Sequence, residues 1–171
     1  MINEIIYENA RARLLRLTPL PFDCGRLCGG ACCKGDENSG MYLFPGEEKF
    51  YDGRDGYTIS DSAFVTDGGR TVKLLVCSKP CKRGERPLSC RIFPLVPYYR
   101  HGSPVRVIFD PRASLCPIVR RENRGYISRS FIKEVKTFAR YLSGTADGAD
   151  FLEGLSDILD DYISFSGMTE V

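Results

Sequence analysis

At 171 residues, 43% hydrophobic and 27% charged, the chain is long enough for one domain with a real apolar core and needs no disulfides as staples. Its formal net charge is +2, and no apolar run approaches the roughly 20 residues that span a bilayer, which argues against a membrane helix. The start carries Glu4 and Glu8 and lacks an apolar stretch behind a basic one, so it does not read as a signal peptide; the expectation is a cytoplasmic protein whose thiols stay reduced.

In chain order, residues 2–17 read as a helix with Ile2, Ile5, Ile6, Leu14, Leu15 and Leu17 as its apolar positions, stopped by Pro19 and Pro21. A Gly-rich stretch follows, and Gly25, Gly29 and Gly30 between cysteines favour a loop wrapped around something. Residues 41–44 are a short strand candidate, and Pro45-Gly46-Glu47-Glu48 resembles a helix start. Residues 57–66 and 71–77 look like strands joined at Asp67-Gly68-Gly69, with Cys77 at a strand end. Residues 78–89 are polar and kinked by Pro80 and Pro87, and 105–109 is another short strand. In the last third, Phe131, Ile132, Val135, Phe138, Ala139 and Leu142 form a helical stripe ending at Gly144. Phe151, Leu152, Leu155, Ile158, Leu159 and Ile163 form a second. The short link predicts an antiparallel pair over 128–165.

Charge is unevenly spread. Residues 1–69 carry a balance of −4, residues 70–133 one of +12, and residues 134–171 one of −6. The basic block predicts either a polyanion surface, with Tyr98 and Tyr99 as a stacking pair, or internal neutralisation by thiolates and by the acidic helices.

All eight cysteines lie between residues 24 and 116: Cys24, Cys28, Cys32 and Cys33 in one cluster, then Cys77, Cys81, Cys90 and Cys116. In a reducing compartment such clustering points to metal over disulfides or redox thiols. Turns at these spacings bring sulfurs to the roughly 3.5–4 Å edge of a tetrahedron built from Zn–S bonds of about 2.3 Å. Soft thiolates select Zn2+, Cu+ or iron–sulfur clusters. His101 is the only histidine, which leaves little room for mixed Cys/His zinc sites. Eight thiols fit two four-thiolate sites, a [4Fe–4S] cluster plus one zinc, or one cluster with spare thiols. Ligands from 24–33 and 77–116 are expected to converge, tying the two halves together.

The stretches FDCGRLCGGACCKG and ERPLSCRIFPLVPY, the latter with Arg86-Pro87-Leu88-Ser89-Cys90-Arg91-Ile92-Phe93-Pro94, resemble the cysteine-cluster family of zinc- or iron-chelating domains, with Cys116-Pro117 similar to its late Cys-Pro. The resemblance covers residues 22–117 and extends to the cysteine-rich part of flagellin lysine-N-methylase. It implies metal binding by Cys24, Cys28, Cys32, Cys33, Cys77, Cys81, Cys90 and Cys116. A methyltransferase-like activity on a protein substrate, with S-adenosylmethionine, follows only if the methylase likeness holds. No strand–GxGxxG–helix signature accompanies it. Arg86 and Arg91 flank Cys90 and are expected either to hydrogen-bond metal-bound sulfurs or to pair with the acidic helices.

The expected fold is α+β: an irregular cysteine-rich metal centre with short strands over 22–117, flanked by an N-terminal helix and a C-terminal helix pair, in one domain over 1–171. The expected function is metal binding. The alternatives are an iron–sulfur methyltransferase-like or redox enzyme, and a zinc-dependent nucleic-acid binder.

Overall fold

The computed structural model describes residues 2–33, 40–78, 82–119 and 125–166. The fold is α+β. Helix α1 (Ile2–Arg16) leads into α2 (Gly25–Cys28) and a 3-10 turn, Ala31–Cys33. Strands β1 (Met41–Tyr42), β2 (Tyr57–Val65) and β3 (Thr71–Cys77) form an antiparallel sheet with β3 in the middle. Helix α3 (Leu88–Ile92) precedes a two-stranded antiparallel ribbon of β4 (Leu95–Tyr98) and β5 (Arg106–Phe109). Helices α4 (Arg129–Ser143) and α5 (Ala146–Ser166) complete the chain.

The main core is apolar and contiguous from Tyr7 to Leu159. On α1 the buried line is Tyr7, Ala10 and Leu14, a helical spacing, whereas Ile5 is 61% and Leu15 47% exposed. Of the positions expected from the sequence, Leu14 is buried and Ile6 and Leu17 pack against the core, while Tyr7, not expected there, reaches inward to donate its hydroxyl to the Pro45 carbonyl at 2.6 Å. Helix α4 buries Phe131, Val135, Phe138, Ala139 and Leu142, as its periodicity predicts, and Ser128 caps it by accepting from the Phe131 N–H. Phe44, just after β1, wedges edge-on between Phe138 (5.0 Å) and Phe151 (5.4 Å), joining sheet to helices. Strand β3 is covered on both faces: Val72 enters the main core, and Leu75 packs with Leu43 and Tyr51 in a second cluster. On α5, a Cβ at Gly154 would stand 2.7 Å from the Phe64 ring, so the missing side chain lets this helix close on β2.

Two elements have no clear periodicity in the sequence. Strand β4 contains Pro97, and α3 is only five residues long. Proline is tolerated in β4 because that strand pairs with β5 alone. The Phe93–Pro94 peptide ahead of it is cis. Pro45-Gly46-Glu47-Glu48 opens a 3-10 turn, Glu47–Phe50, in place of a longer helix.

Part of the basic block is paired with acids within the fold. Arg70 pairs with Asp147 at 2.6 Å, and Arg100 with Asp157 and Asp160, all three acids on α5. Tyr98 lies under the Arg106 guanidinium (4.7 Å) and donates to Asp160 (3.1 Å). No helix among the described residues is long and apolar enough to cross a membrane.

Glu47 is wholly buried. Its carboxylate accepts the Leu88 N–H at 2.7 Å and the Phe44 N–H at 3.3 Å, with the Arg11 guanidinium 3.6 Å away. Burial raises its pKa from 4.5 to about 7, against the opposing pull of those donors. The folded value lies above the unfolded one. The carboxyl's favourable contribution is therefore complete below about 4.5 and is lost as pH rises towards about 7. Denaturant unfolding between pH 4.5 and 7 is expected to show this loss, on the order of 3 kcal/mol. Glu47→Gln is expected to flatten that part of the profile, and a profile identical to wild type would contradict the assignment.

Candidate metal centre

Three guanidinium contacts bring the cysteine-bearing segments together. Arg83 donates to the Leu14 and Leu17 carbonyls at 2.9 and 2.7 Å, covering acceptors that the end of α1 leaves without helical partners. Arg91, fully buried, donates to the carbonyls of Arg11, Gly84 and Arg86 at 2.8, 2.5 and 2.8 Å. These bonds fix the segment carrying Cys90 against α1. On the other side, Asp110 binds the Arg112 guanidinium through both oxygens, at 2.9 and 2.7 Å, and its N–H donates to the Pro94 carbonyl at 2.8 Å. That anchors the run of turns leading to Cys116.

The first segment folds back because Gly29 and Gly30 both take positive φ, 60° and 71°. The Gly30 N–H donates to the Gly25 carbonyl and the Cys33 N–H to the Gly30 carbonyl. Cys24 and Cys28 flank α2, and Cys32 and Cys33 end the following turn.

Six sulfur-bearing side chains line one cavity of about 390 Å³: Cys24, Cys28, Cys32, Cys33, Cys90 and Cys116. They come from three separate stretches of chain, and none of the seven described cysteines is in a disulfide. Cys77 ends β3 exposed and does not line the cavity, and Cys81 lies outside the described residues. His101 is on the surface, 3.9 Å from Glu153. Arg86 lines the cavity, together with Arg83 and Arg112, which sequence reasoning did not single out; Arg91 does not. Arg112 had a local signal, two residues after Asp110, whereas nothing near Arg83 points to α1.

The sulfurs affect one another across segments. Burial raises the Cys24 pKa, with Asp23 and Cys116 adding to it and Arg83 and Arg86 opposing. Burial also raises Cys116, against the backbone N–H groups of Ile118 and Val119; the Val119 N–H donates to the Cys116 carbonyl at 3.1 Å. Backbone N–H groups near a sulfur favour the thiolate that a metal ligand must be. The hydrogen bond between Cys32 and Cys33 raises Cys32 and lowers Cys33, which with the opposing pull of burial and the help of Arg86 comes to about 6. Cys24 and Cys90 also push Cys32 upward. The vicinal pair therefore holds one thiol and one thiolate near neutrality. Arg83, whose Nε is buried without a hydrogen-bond partner among the described residues, adds a cation to the cavity wall.

The donor chemistry suits a soft metal: sulfur without imidazole, with cations beside it to offset thiolate charge. Among the described residues, no three His, Cys, Asp or Glu side chains stand close enough together to hold a metal ion.

A second cavity of about 470 Å³ abuts the first. It runs between the sheet and α5, over Phe44, Ile92 and Phe151, and shares Gly40, Met41, Asp110 and Arg112 with the thiol cavity.

No protein-family model, curated protein or solved structure matches this chain.

The lowered pKa of Cys33 sets a measurable expectation. Iodoacetamide labelling of metal-free protein, followed by peptide mass spectrometry, is expected to reach half its maximal rate at Cys33 near pH 6. Cys32→Ala is expected to move that midpoint towards the ordinary thiol value of 9.0, and a midpoint that stays put would remove the hydrogen bond as its cause.

Proposed function

We propose that this chain is a metal-binding protein that holds zinc or an iron–sulfur cluster through cysteine thiolates, as its resemblance to the cysteine-cluster family implies. The observation that carries the reading is the convergence of six sulfurs from three segments on one cavity beside Arg83 and Arg86. Cys24, Cys28, Cys90 and Cys116, the less exposed of the six, would be the ligands of a four-thiolate site, with Cys32 and Cys33 at its edge. Zinc would supply a structural tie and a cluster one-electron chemistry. The chain's own residues bring the sulfurs to one cavity and offset thiolate charge with guanidinium. A reducing compartment such as the cytoplasm suits these thiols.

Anaerobic purification with elemental analysis and an optical spectrum is expected to give stoichiometric zinc or iron. Cys24→Ser, Cys90→Ser and Cys116→Ser are expected to drop the content below one equivalent, and Cys77→Ser to leave it unchanged. Arg86→Gln is expected to weaken affinity by about 10–100-fold, as loss of a group supporting the ligands does elsewhere. Metal-free protein from an oxygen-protected preparation would end this reading.

One observation favours a second reading, an iron–sulfur-dependent redox or lysine N-methyltransferase-like enzyme: the second cavity meets the thiol cavity at the Asp110–Arg112 pair. A cluster beside a ligand-sized cavity is an arrangement suited to catalysis. That reading expects brown protein that retains S-adenosylmethionine or another substrate in equilibrium dialysis. Metal binding alone expects no such retention.

A further inference from the structure

We propose that the adjacent thiols of Cys32 and Cys33 form a thiol–disulfide exchange site for small disulfides that carry carboxylates. The inference goes beyond the metal-binding reading: it needs two sulfurs in contact, and it leaves Cys24, Cys28, Cys90 and Cys116 out of the reaction.

Exchange by a dithiol asks for one sulfur that an external disulfide can reach and a second beside it that can displace the adduct. Cys32 and Cys33 meet both demands. They are the two exposed cysteines of the thiol cavity, and a hydrogen bond joins their side chains. The other four cysteines lining that cavity are less exposed. The turn Ala31–Cys33 buries no residue, so a new bond at either sulfur disturbs no core packing.

The surroundings suit a reagent that is partly apolar and anionic. Leu115, 78% exposed, lines the cavity with Ala31 and Pro117, and the space of about 390 Å³ admits a small molecule. Arg83 and Arg86 line it as well. Arg83 gives its hydrogen bonds to the uncharged carbonyls of Leu14 and Leu17, which leave its charge uncancelled. Arg86 is near enough to Cys33 to act on it electrostatically. Guanidinium groups in a concave wall draw carboxylates towards the sulfurs.

In the first step the Cys33 thiolate attacks one sulfur of the reagent. A bond from Cys33 to that sulfur forms, the reagent's S–S bond breaks, and the departing thiolate takes up the proton that Cys33 gave to solvent. Cys32 then loses its proton and attacks the Cys33 sulfur. The Cys32–Cys33 disulfide forms and the second small thiolate leaves, taking up that proton. Two electrons pass from the protein to the reagent, which departs as two thiols.

The test mixes the full chain, prepared without oxygen and with whatever metal it carries, with half an equivalent of 5,5′-dithiobis(2-nitrobenzoate). Released thionitrobenzoate is read by absorbance, and the modified cysteines are found by N-ethylmaleimide labelling after denaturation and peptide mass spectrometry. Wild type is expected to release two thionitrobenzoates per reagent and to lose labelling at Cys32 and Cys33. Cys32→Ser is expected to release one and to keep the adduct on Cys33. Cys33→Ser, with unchanged circular dichroism, is expected to react about tenfold more slowly or less. Arg86→Gln is expected to slow the carboxylate-bearing reagent while leaving the rate with uncharged 4,4′-dithiodipyridine unchanged. A wild type that stops at one thionitrobenzoate, or whose modification maps to other cysteines, overturns the proposal without any variant. A Cys33→Ser protein that reacts at the wild-type rate overturns it too, as does an Arg86→Gln protein whose rates with the two reagents change equally. Elemental analysis of the same sample reports on the metal-binding reading alone, and its failure leaves the sulfur stoichiometry to decide this one.

Discussion

The carbonyl end of α1 is where the cysteine-bearing half of the chain is fastened to the helical half. A helix leaves its last carbonyls without internal partners, and here Arg83 covers those of Leu14 and Leu17. Arg91 adds a bond inside the helix, to the Arg11 carbonyl, while bracing its own loop at Gly84 and Arg86. Burial lowers the Arg91 pKa to about 10, which leaves the guanidinium charged at neutrality. A buried charge is costly unless its donors are matched, and three backbone carbonyls match them. The Glu47 carboxyl, beside Arg11, accepts from Leu88 at the start of α3. The position of Cys90 is therefore a consequence of how α1 ends.

The cavity that results joins segments of different character. Cys24 to Cys33 sit on a glycine-hinged segment with little to bury beyond Cys24, which packs against the core, whereas Cys90 sits on α3 beside buried residues and Cys116 on a turn packed to the core. The core itself is built from aromatic and aliphatic residues of α1, the sheet, α4 and α5. The sulfurs gather at its margin, where Arg83, Arg86 and Arg112 offset negative charge. Such a margin combines the rigidity that positions a ligand set with the access that lets something reach it.

The same economy of charge runs through the rest of the molecule. The surplus of arginine between residues 70 and 133 meets the acids of α5 at Asp147, Asp157 and Asp160, and it meets backbone carbonyls at the end of α1. The Asp110–Arg112 pair stands between two cavities and contributes a wall to both. Among the described residues, Arg70, Arg83, Arg91, Arg100 and Arg112 each connect separate segments or brace a turn.

Local pattern alone determined the elements whose periodicity is long enough to read: α1, α4 and α5, the β2–β3 hairpin, and the concentration of thiols that makes a soft-metal chemistry the first thing to consider. Short elements carrying proline escaped it. Strand β4 is made by its pairing with β5, and α3 by the Glu47 carboxylate and the Arg91 bonds around it. The tertiary structure alone decided which thiols meet. Spacing treats Cys77 and Cys90 alike, but β3 carries Cys77 to an exposed strand end while the arginine contacts with α1 bring Cys90 to the cavity. It also decided that Arg83 and Arg112 stand with Arg86 beside the sulfurs while Arg91 binds carbonyls. Sequence proximity limits how far apart two residues can be, but only the packing of distant segments determines whether their side chains face one another.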